Sequence, residues 1–158
     1  MNEMKKGPLN QPFVTSYLLY LLAAVSDRAS AEFHSHARTA GLRVPEWRVL
    51  ACLADEDGAM VTRLARLSLM EQSRLTRIID QMAERGLVRR QSDPEDRRRV
   101  RVFLSDEGRD LALRLIEDAR DHEARILADL GGEDAQRIKP MLERLLGQLD
   151  QPDGRETG

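Results

Sequence analysis

The feature that most constrains this chain is a short helical segment, a tight turn and a longer helical segment, followed at once by an arginine-rich hairpin. All of it lies within residues 59–105. Thr62 is a predicted N-cap for the short helix, over about residues 63–67, and Ser68-Leu69 forms the turn. The longer segment, about residues 70–85, has apolar residues at the spacing of one helix face: Leu75, Ile78, Ile79 and Met82. This order of elements predicts a helix-turn-helix.

The hairpin follows Gly86, which should end the second helix. Residues 87–90 and 100–104 predict two β-strands, since the second run alternates apolar and polar residues and a proline-containing turn separates the two. The turn carries Arg97, Arg98 and Arg99 beside Asp96. It could be a solvated surface turn with self-neutralising charge, or a wing that places an arginine in the DNA minor groove. Asp96 could pair with Arg98 and hold its guanidinium extended.

Positive charge is concentrated in the same stretch. Residues 59–105 contain eleven arginines and six acidic residues, a balance of +5, in a chain of net charge −2. The 58 residues before it have a balance of −1 and the 53 after it a balance of −6. Such a block is the electrostatic signature of a surface that binds a polyanion.

The second helix of a helix-turn-helix enters the major groove with its N-terminus first. The predicted base- or phosphate-contacting residues are therefore on its first two turns: Gln72, Ser73, Arg74, Thr76 and Arg77. Gln can pair with adenine and Arg with guanine through two hydrogen bonds, and Ser or Thr can contact bases or phosphates. The predicted wing contacts are Asp96, Arg97, Arg98 and Arg99.

The rest of the chain is predicted to be helical. One helix should span about residues 13–38, with Gly41 just past its end, and Pro45 should open another. Ser105 should cap a long helix that ends near residue 131. In the last helix, about residues 133–149, Pro140 should cause a kink or mark the true start. The terminal helices carry wide apolar stripes, which predict dimerisation.

These residues also resemble a known family. The run from Leu64 to Leu87, followed by Asp96, Arg98, Leu104 and Ser105 in a D-x-R-x5-L-S pattern, is similar to the MarR (multiple antibiotic resistance regulator) family. The resemblance implies a mainly α fold with a small β-hairpin wing, a winged helix-turn-helix whose N- and C-terminal helices form a dimerisation base. The implied domains are an N-terminal dimerisation helix (13–40), a DNA-binding lobe (45–105) and C-terminal dimerisation helices (106–149).

The same resemblance implies a function and specific residues. The chain would be a transcriptional regulator, most often a repressor, that binds a palindromic operator in double-stranded DNA as a homodimer and is released by a small phenolic or anionic aromatic ligand. Thr76 and Arg77 match the family's recognition helix, and Asp96 and Arg98 match its wing tip. The turn departs from the family, which often has Leu-Gly where this chain has Ser68-Leu69.

Other site chemistries are less favoured. An effector pocket could be lined by His34, Arg43, Trp47 and Arg48. Cys52, the single cysteine, lies on an apolar helix face and is expected to be a small hydrophobic residue, although a redox-responsive regulator is an alternative. His34 and His36 are two apart on a helix and point to different faces, so no metal site is expected.

Broader alternatives follow from what the sequence lacks. It contains no catalytic triad pattern, glycine-rich phosphate loop or paired carboxylates in an apolar setting, so neither an enzyme nor a cofactor is expected. A helical scaffold or dimerisation protein that binds no DNA is the remaining alternative, and the basic block argues against it. No secretory signal or membrane span is predicted, and we expect a cytoplasmic protein without membrane partners.

Overall fold

The computed structural model describes residues 12–150, which are mostly helical with one small sheet. The helices are α1 (Phe13–Ser16), α2 (Leu18–Thr39), α3 (Val44–Asp55), α4 (Val61–Leu67), α5 (Gln72–Glu84), α6 (Asp106–Leu130) and α7 (Gly132–Leu149). The strands are β1 (Ala59–Met60), β2 (Val88–Ser92) and β3 (Val100–Leu104). The described residues divide into two compact units, 12–118 and 119–150. The predicted fold class, mainly α with a small β wing, is confirmed.

The first unit has one apolar core, to which α2 to α6 and all three strands contribute. Its fully buried leucine, isoleucine, valine and methionine side chains include Val49, Leu50, Leu53, Leu64, Leu75, Ile79, Met82 and Val102. The predicted inward face of α5 is confirmed, since Leu75, Ile78, Ile79 and Met82 are all buried. These buried side chains therefore hold α5 against the core of this unit.

The sheet has three antiparallel strands in the order β1-β3-β2. The predicted hairpin of β2 and β3 is confirmed, with Val88 opposite Leu104 and Ser92 opposite Val100. The two-residue strand β1 was not predicted; it pairs Ala59 with Val102. Because β1 leads directly into α4, the N-cap of α4 is Met60, and the prediction that Thr62 is the cap is wrong.

Other predicted boundaries agree with the structure, with one exception. Gly41 follows α2 with φ of 81°, Pro45 lies in the first turn of α3, and the Ser105 hydroxyl accepts a hydrogen bond from the Gly108 amide at 2.9 Å. The exception is the single N-terminal helix. Its first turn, α1, is separate, since Tyr17 is extended (φ −75°, ψ 127°).

The second unit contains the end of α6 and the whole of α7. Lys139 donates to Glu123 at 3.0 Å, which joins the two helices. Pro140 lies inside α7, which already begins at Gly132, so Pro140 does not mark the start of the helix. None of the residues of α7 is buried, and several of its large apolar side chains are exposed: Met141, Leu142, Leu146 and Leu149.

Candidate nucleic-acid interface

The outer face of α5 carries the polar residues predicted to contact DNA. Burial of its apolar face leaves the side chains of Gln72, Ser73, Arg74 and Arg77 exposed. Thr76 is half-buried, and its hydroxyl donates to the Gln72 carbonyl at 2.9 Å. That hydroxyl still has a lone pair available as an acceptor. The first two turns of α5 therefore present two arginines, a glutamine and two hydroxyls on one surface.

The turn before α5 shows how this chain departs from the Leu-Gly pattern. Leu69 has φ of 56°, the left-handed region that glycine adopts most easily, and its side chain is 83% exposed. This conformation costs a leucine roughly 1–2 kcal/mol. Ser68 is buried and donates its hydroxyl to the Leu64 carbonyl. The leucine thus takes the backbone conformation expected of a glycine, and the turn is kept.

The wing turn, residues 93–99 between β2 and β3, is organised by the buried carboxylate of Asp93. The backbone amides of Glu95 and Asp96 donate to Asp93 Oδ1 at 2.9 and 3.3 Å, and Arg101 Nε donates to Oδ2 at 2.6 Å. Arg101 Nη1 also donates to the Gly58 carbonyl at 3.1 Å, which joins the wing to the residue before β1. Hydrogen bonding from Arg101, and then from the Glu95 amide, holds the pKa of Asp93 below its usual value. Asp93 therefore stays charged at neutral pH.

The expected pairing of Asp96 with the Arg98 side chain is wrong. Asp96 Oδ1 accepts from the backbone amide of Arg98 at 3.0 Å, while its ion pair within residues 12–150 is with Arg99 Nε, at 3.4 Å. A carboxylate two residues before an amide naturally closes such a local turn. Asp96 thus shapes the backbone at Arg98 rather than holding its guanidinium, and the side chains of Arg97, Arg98 and Arg99 are exposed.

An open cleft of about 490 Å³ brings predicted residues of the helix and the wing together. Its lining residues come from β1, α4, α5, β2, the wing turn and the start of β3: Met60, Val61, Thr62, Gln72, Thr76, Arg90, Arg98, Arg99 and Val100. Arg90, which also pairs with Asp80, was not among the predicted site residues. The available signal was its position in the predicted first strand of the hairpin, where Arg89 and Arg90 directly follow the helix-turn-helix.

The predicted effector-pocket residues lie around the corner between α2 and α3. The Trp47 ring packs against Phe33 with centroids 5.0 Å apart. Burial, followed by the charge of Arg48, lowers the pKa of His34 from its usual value. Arg43 is engaged with Glu46 and Gln81. Trp47 and Arg43 thus have structural partners, while Arg48 is exposed.

The remaining candidate chemistries can be located as well. Burial, and then the charge of Asp55, raise the pKa of the half-buried Cys52 thiol. A raised pKa disfavours the reactive thiolate. Within residues 12–150, the structure contains no group of three or more His, Cys, Asp or Glu residues that could hold a metal ion. In the same range, no helix is long and apolar enough to cross a membrane.

Known proteins resemble this chain in both sequence and fold. The sequence model of the MarR family matches residues 42–100. A crystal structure of a MarR family transcriptional regulator from Silicibacter pomeroyi DSS-3 is 61% identical, covers 89% of this chain and 100% of its own, and has a TM-score of 0.82. The HTH-type transcriptional repressor IacR of Pseudomonas putida is 29% identical over 83% of this chain and 78% of its own length.

A structure with DNA is also similar to this chain. The transcriptional repressor CouR, bound to a 23-mer DNA duplex, has a TM-score of 0.75 and 25% identity, over 87% of this chain and 98% of its own.

Proposed function

The chain belongs to the MarR family of transcriptional regulators, and from this membership we propose that it is a repressor that binds a palindromic operator as a homodimer. A small ligand of the aromatic or anionic class would release it. The observation that carries the proposal is the cleft between α5 and the wing, where Gln72 and Thr76 face the same space as Arg98 and Arg99. This arrangement would let groups that can read bases act beside groups that can bind phosphates.

The proposed contacts divide between two grooves. Gln72, Ser73, Arg74, Thr76 and Arg77 would meet the major groove, because they occupy the first two turns of α5. The wing-tip arginines, Arg97, Arg98 and Arg99, would meet the adjoining backbone or minor groove. Asp96 would act on the wing backbone rather than on DNA, since it accepts from the Arg98 amide.

Dimerisation is supported by apolar side chains exposed at both ends of the chain. On α1 and α2 they include Phe13, Val14, Leu18, Leu19 and Val25, and on α7 they include Met141, Leu146 and Leu149. Large apolar side chains exposed on one helix in such numbers usually mark an interface. A two-fold dimer also fits a palindromic operator. We assign residues 13–40 and 106–149 to the dimerisation base and 45–105 to the DNA-binding lobe, in a cytoplasmic protein without enzyme activity.

For the effector we propose a chemical class, a small aromatic anion. A ligand near His34, Arg43, Trp47 and Arg48 would meet aromatic and cationic groups, which suits a small aromatic anion. Regulation by oxidation of Cys52 is a second possibility, and the raised pKa of that thiol argues against it. A ligand of the folded protein would raise its melting temperature, so a thermal-shift screen of aromatic acids separates the two.

DNA reading is tested by Arg77→Ala, with a duplex that the parent protein selects from a random-sequence library. The variant should lose about 1–3 kcal/mol more affinity for the selected duplex than for random DNA if Arg77 contacts a base. Arg114→Ala, which removes an exposed arginine from α6, is the control for charge. If Arg77 contacts only phosphate, both affinities fall alike and the salt slope decreases by about one. A parent that selects no duplex would refute the proposed function and favour a helical scaffold protein.

A further inference from the structure

A buried carboxylate joins the end of the recognition helix to the start of α3. Glu46, in the first turn of α3, is only 1% exposed. Its Oε2 accepts from the backbone amide of Arg43 at 2.8 Å, and its Oε1 accepts from Arg43 Nη2 at 2.8 Å. The first contact caps α3, so part of the role of Glu46 is local. Two further hydrogen bonds come from a residue that is distant in sequence.

That residue is Arg85, directly after the last residue of α5. Its Nη1 lies 3.1 Å from each oxygen of Glu46, and its Nη2 donates to the Gly41 carbonyl at 2.8 Å. Arg43 also donates to Gln81, on the last turn of α5. The C-terminal end of α5 is thereby tied to the loop between α2 and α3 by directional hydrogen bonds.

The buried charge is well compensated. Burial alone would raise the pKa of Glu46, but hydrogen bonds and charge from Arg43, with the charge of Arg85, outweigh this effect and hold the pKa below its usual value. Both arginines remain partly exposed, with side-chain exposures of 59% and 44%. The carboxylate therefore keeps its charge at neutral pH, and removing it would leave both guanidinium groups accessible to water.

We propose that Glu46, acting through Arg85, is a positioning residue that sets the orientation of α5 for reading DNA. The apolar face of α5 keeps the helix on the core, but the hydrophobic effect that holds it there is not directional. Hydrogen bonds between a guanidinium and a carboxylate have defined angles. They fix one end of the helix, so the side chains on its first turns keep their angle to the base edges. This inference rests on the proposed function.

Two substitutions that remove opposite charges test the proposal. Glu46→Gln removes a negative charge and keeps the size of the side chain, and Arg85→Gln removes a positive charge from the same contact. If the contact positions α5, both should lower the ratio of affinities for the selected duplex and for random duplex DNA, by about tenfold. If only the electric field matters, Glu46→Gln should tighten binding to both DNAs and Arg85→Gln should weaken it.

Matched controls separate charge and stability from positioning. Glu117→Gln and Arg114→Gln remove the same charges from exposed positions on α6 and should leave the ratio unchanged. Affinities are measured well below each melting temperature, and the salt slope of random-duplex binding should stay that of the parent. The double variant Glu46→Gln/Arg85→Gln should lose less than the sum of the two single losses, because both single variants remove the same contact between Glu46 and Arg85. Arg85→Lys, which keeps the charge but loses the paired geometry, covers the case in which Arg85→Gln fails to fold.

A measurement without DNA distinguishes failure of this inference from failure of the proposed function. Residual dipolar couplings report the angle between the amide vectors of α5 and those of α3. In Glu46→Gln the α5 vectors should rotate or average relative to α3, while Glu117→Gln should match the parent. Unchanged α5 vectors, or an unchanged affinity ratio in a folded variant, would overturn the positioning role of Glu46. A parent protein that binds no selected duplex would overturn the proposed function alone.

Discussion

Helix α5 and the wing carry similar exposed arginines, but different forces hold them in place. Helix α5 buries four apolar side chains, of which Leu75, Ile79 and Met82 are fully buried. The wing turn instead relies on the Asp93 carboxylate, which collects two backbone amides and the Arg101 guanidinium. Packing thus holds α5 on the core, with hydrogen bonds added at its C-terminal end, whereas the wing turn is held by hydrogen bonds alone.

This difference indicates in which region a substitution should change global stability and in which it should change only the local structure. Loss of a buried side chain in α5 leaves a cavity in the core and should lower the global stability. Loss of a hydrogen bond in the wing should be felt mainly by the turn itself, because residues 94–99 contribute no buried side chain. Substitutions in the two regions should consequently separate stability from DNA affinity.

The largest expected effect is that of Ile79→Ala. It leaves a cavity under α5 and should lower the free energy of unfolding by about 2–5 kcal/mol, measured by urea denaturation. Glu84→Ala, at an exposed position of the same helix, is the control and should change stability by only about 0.5 kcal/mol. Equal stabilities of the two variants would contradict the assignment of α5 to the core.

The second effect, on the wing, is smaller and local. Asp93→Asn removes the charge that holds Arg101 and should speed hydrogen exchange of the turn amides while leaving the melting temperature nearly unchanged. Affinity for the selected duplex should fall about threefold to tenfold, because the wing arginines are no longer held in one orientation before they meet the DNA. Glu95→Gln makes the same charge change at an exposed neighbour and should leave exchange unchanged. A large loss of global stability in Asp93→Asn would contradict the local role.

The smallest effect distinguishes two roles of Asp96. Asp96→Asn removes the ion pair with Arg99 but keeps an oxygen to accept from the Arg98 amide, whereas Asp96→Ala removes both. If Asp96 shapes the backbone, the alanine variant should bind the selected duplex about twofold to fivefold more weakly than the asparagine variant, in titrations at matched salt. Equal affinities would leave only a charge effect, which is the same in both variants.

Sequence reasoning predicted α5 and its buried face because that information is local. The spacing of Leu75, Ile78, Ile79 and Met82 specifies one face of a helix whatever surrounds it. The hairpin was also predicted, from its alternation and its turn. The residues alone left open whether the arginine-rich turn is a surface turn or a DNA-binding wing. The family resemblance favoured the wing, with the helix in the major groove and the turn beside it.

The contacts that sequence reasoning missed depend on distant partners. Asp93 precedes a proline in the turn, which is a local signal, but its partner Arg101 and the tie to Gly58 arise only when β1, β2 and β3 form one sheet. The same holds for Glu46 and Arg85, which are 39 positions apart. The error at Thr62 has this origin too, because the pairing of β1 with β3 decides where α4 begins.

The buried carboxylate of Glu46 has a consequence for proton binding. Its pKa in the folded chain lies below the ordinary value of 4.5, so the unfolded chain takes up this proton first as the solution is acidified. The stabilisation from Glu46 is complete above the ordinary value and is lost as the pH falls through the lower folded value. Physiological acidification therefore leaves this carboxylate ionised, and the stabilisation that it provides is retained.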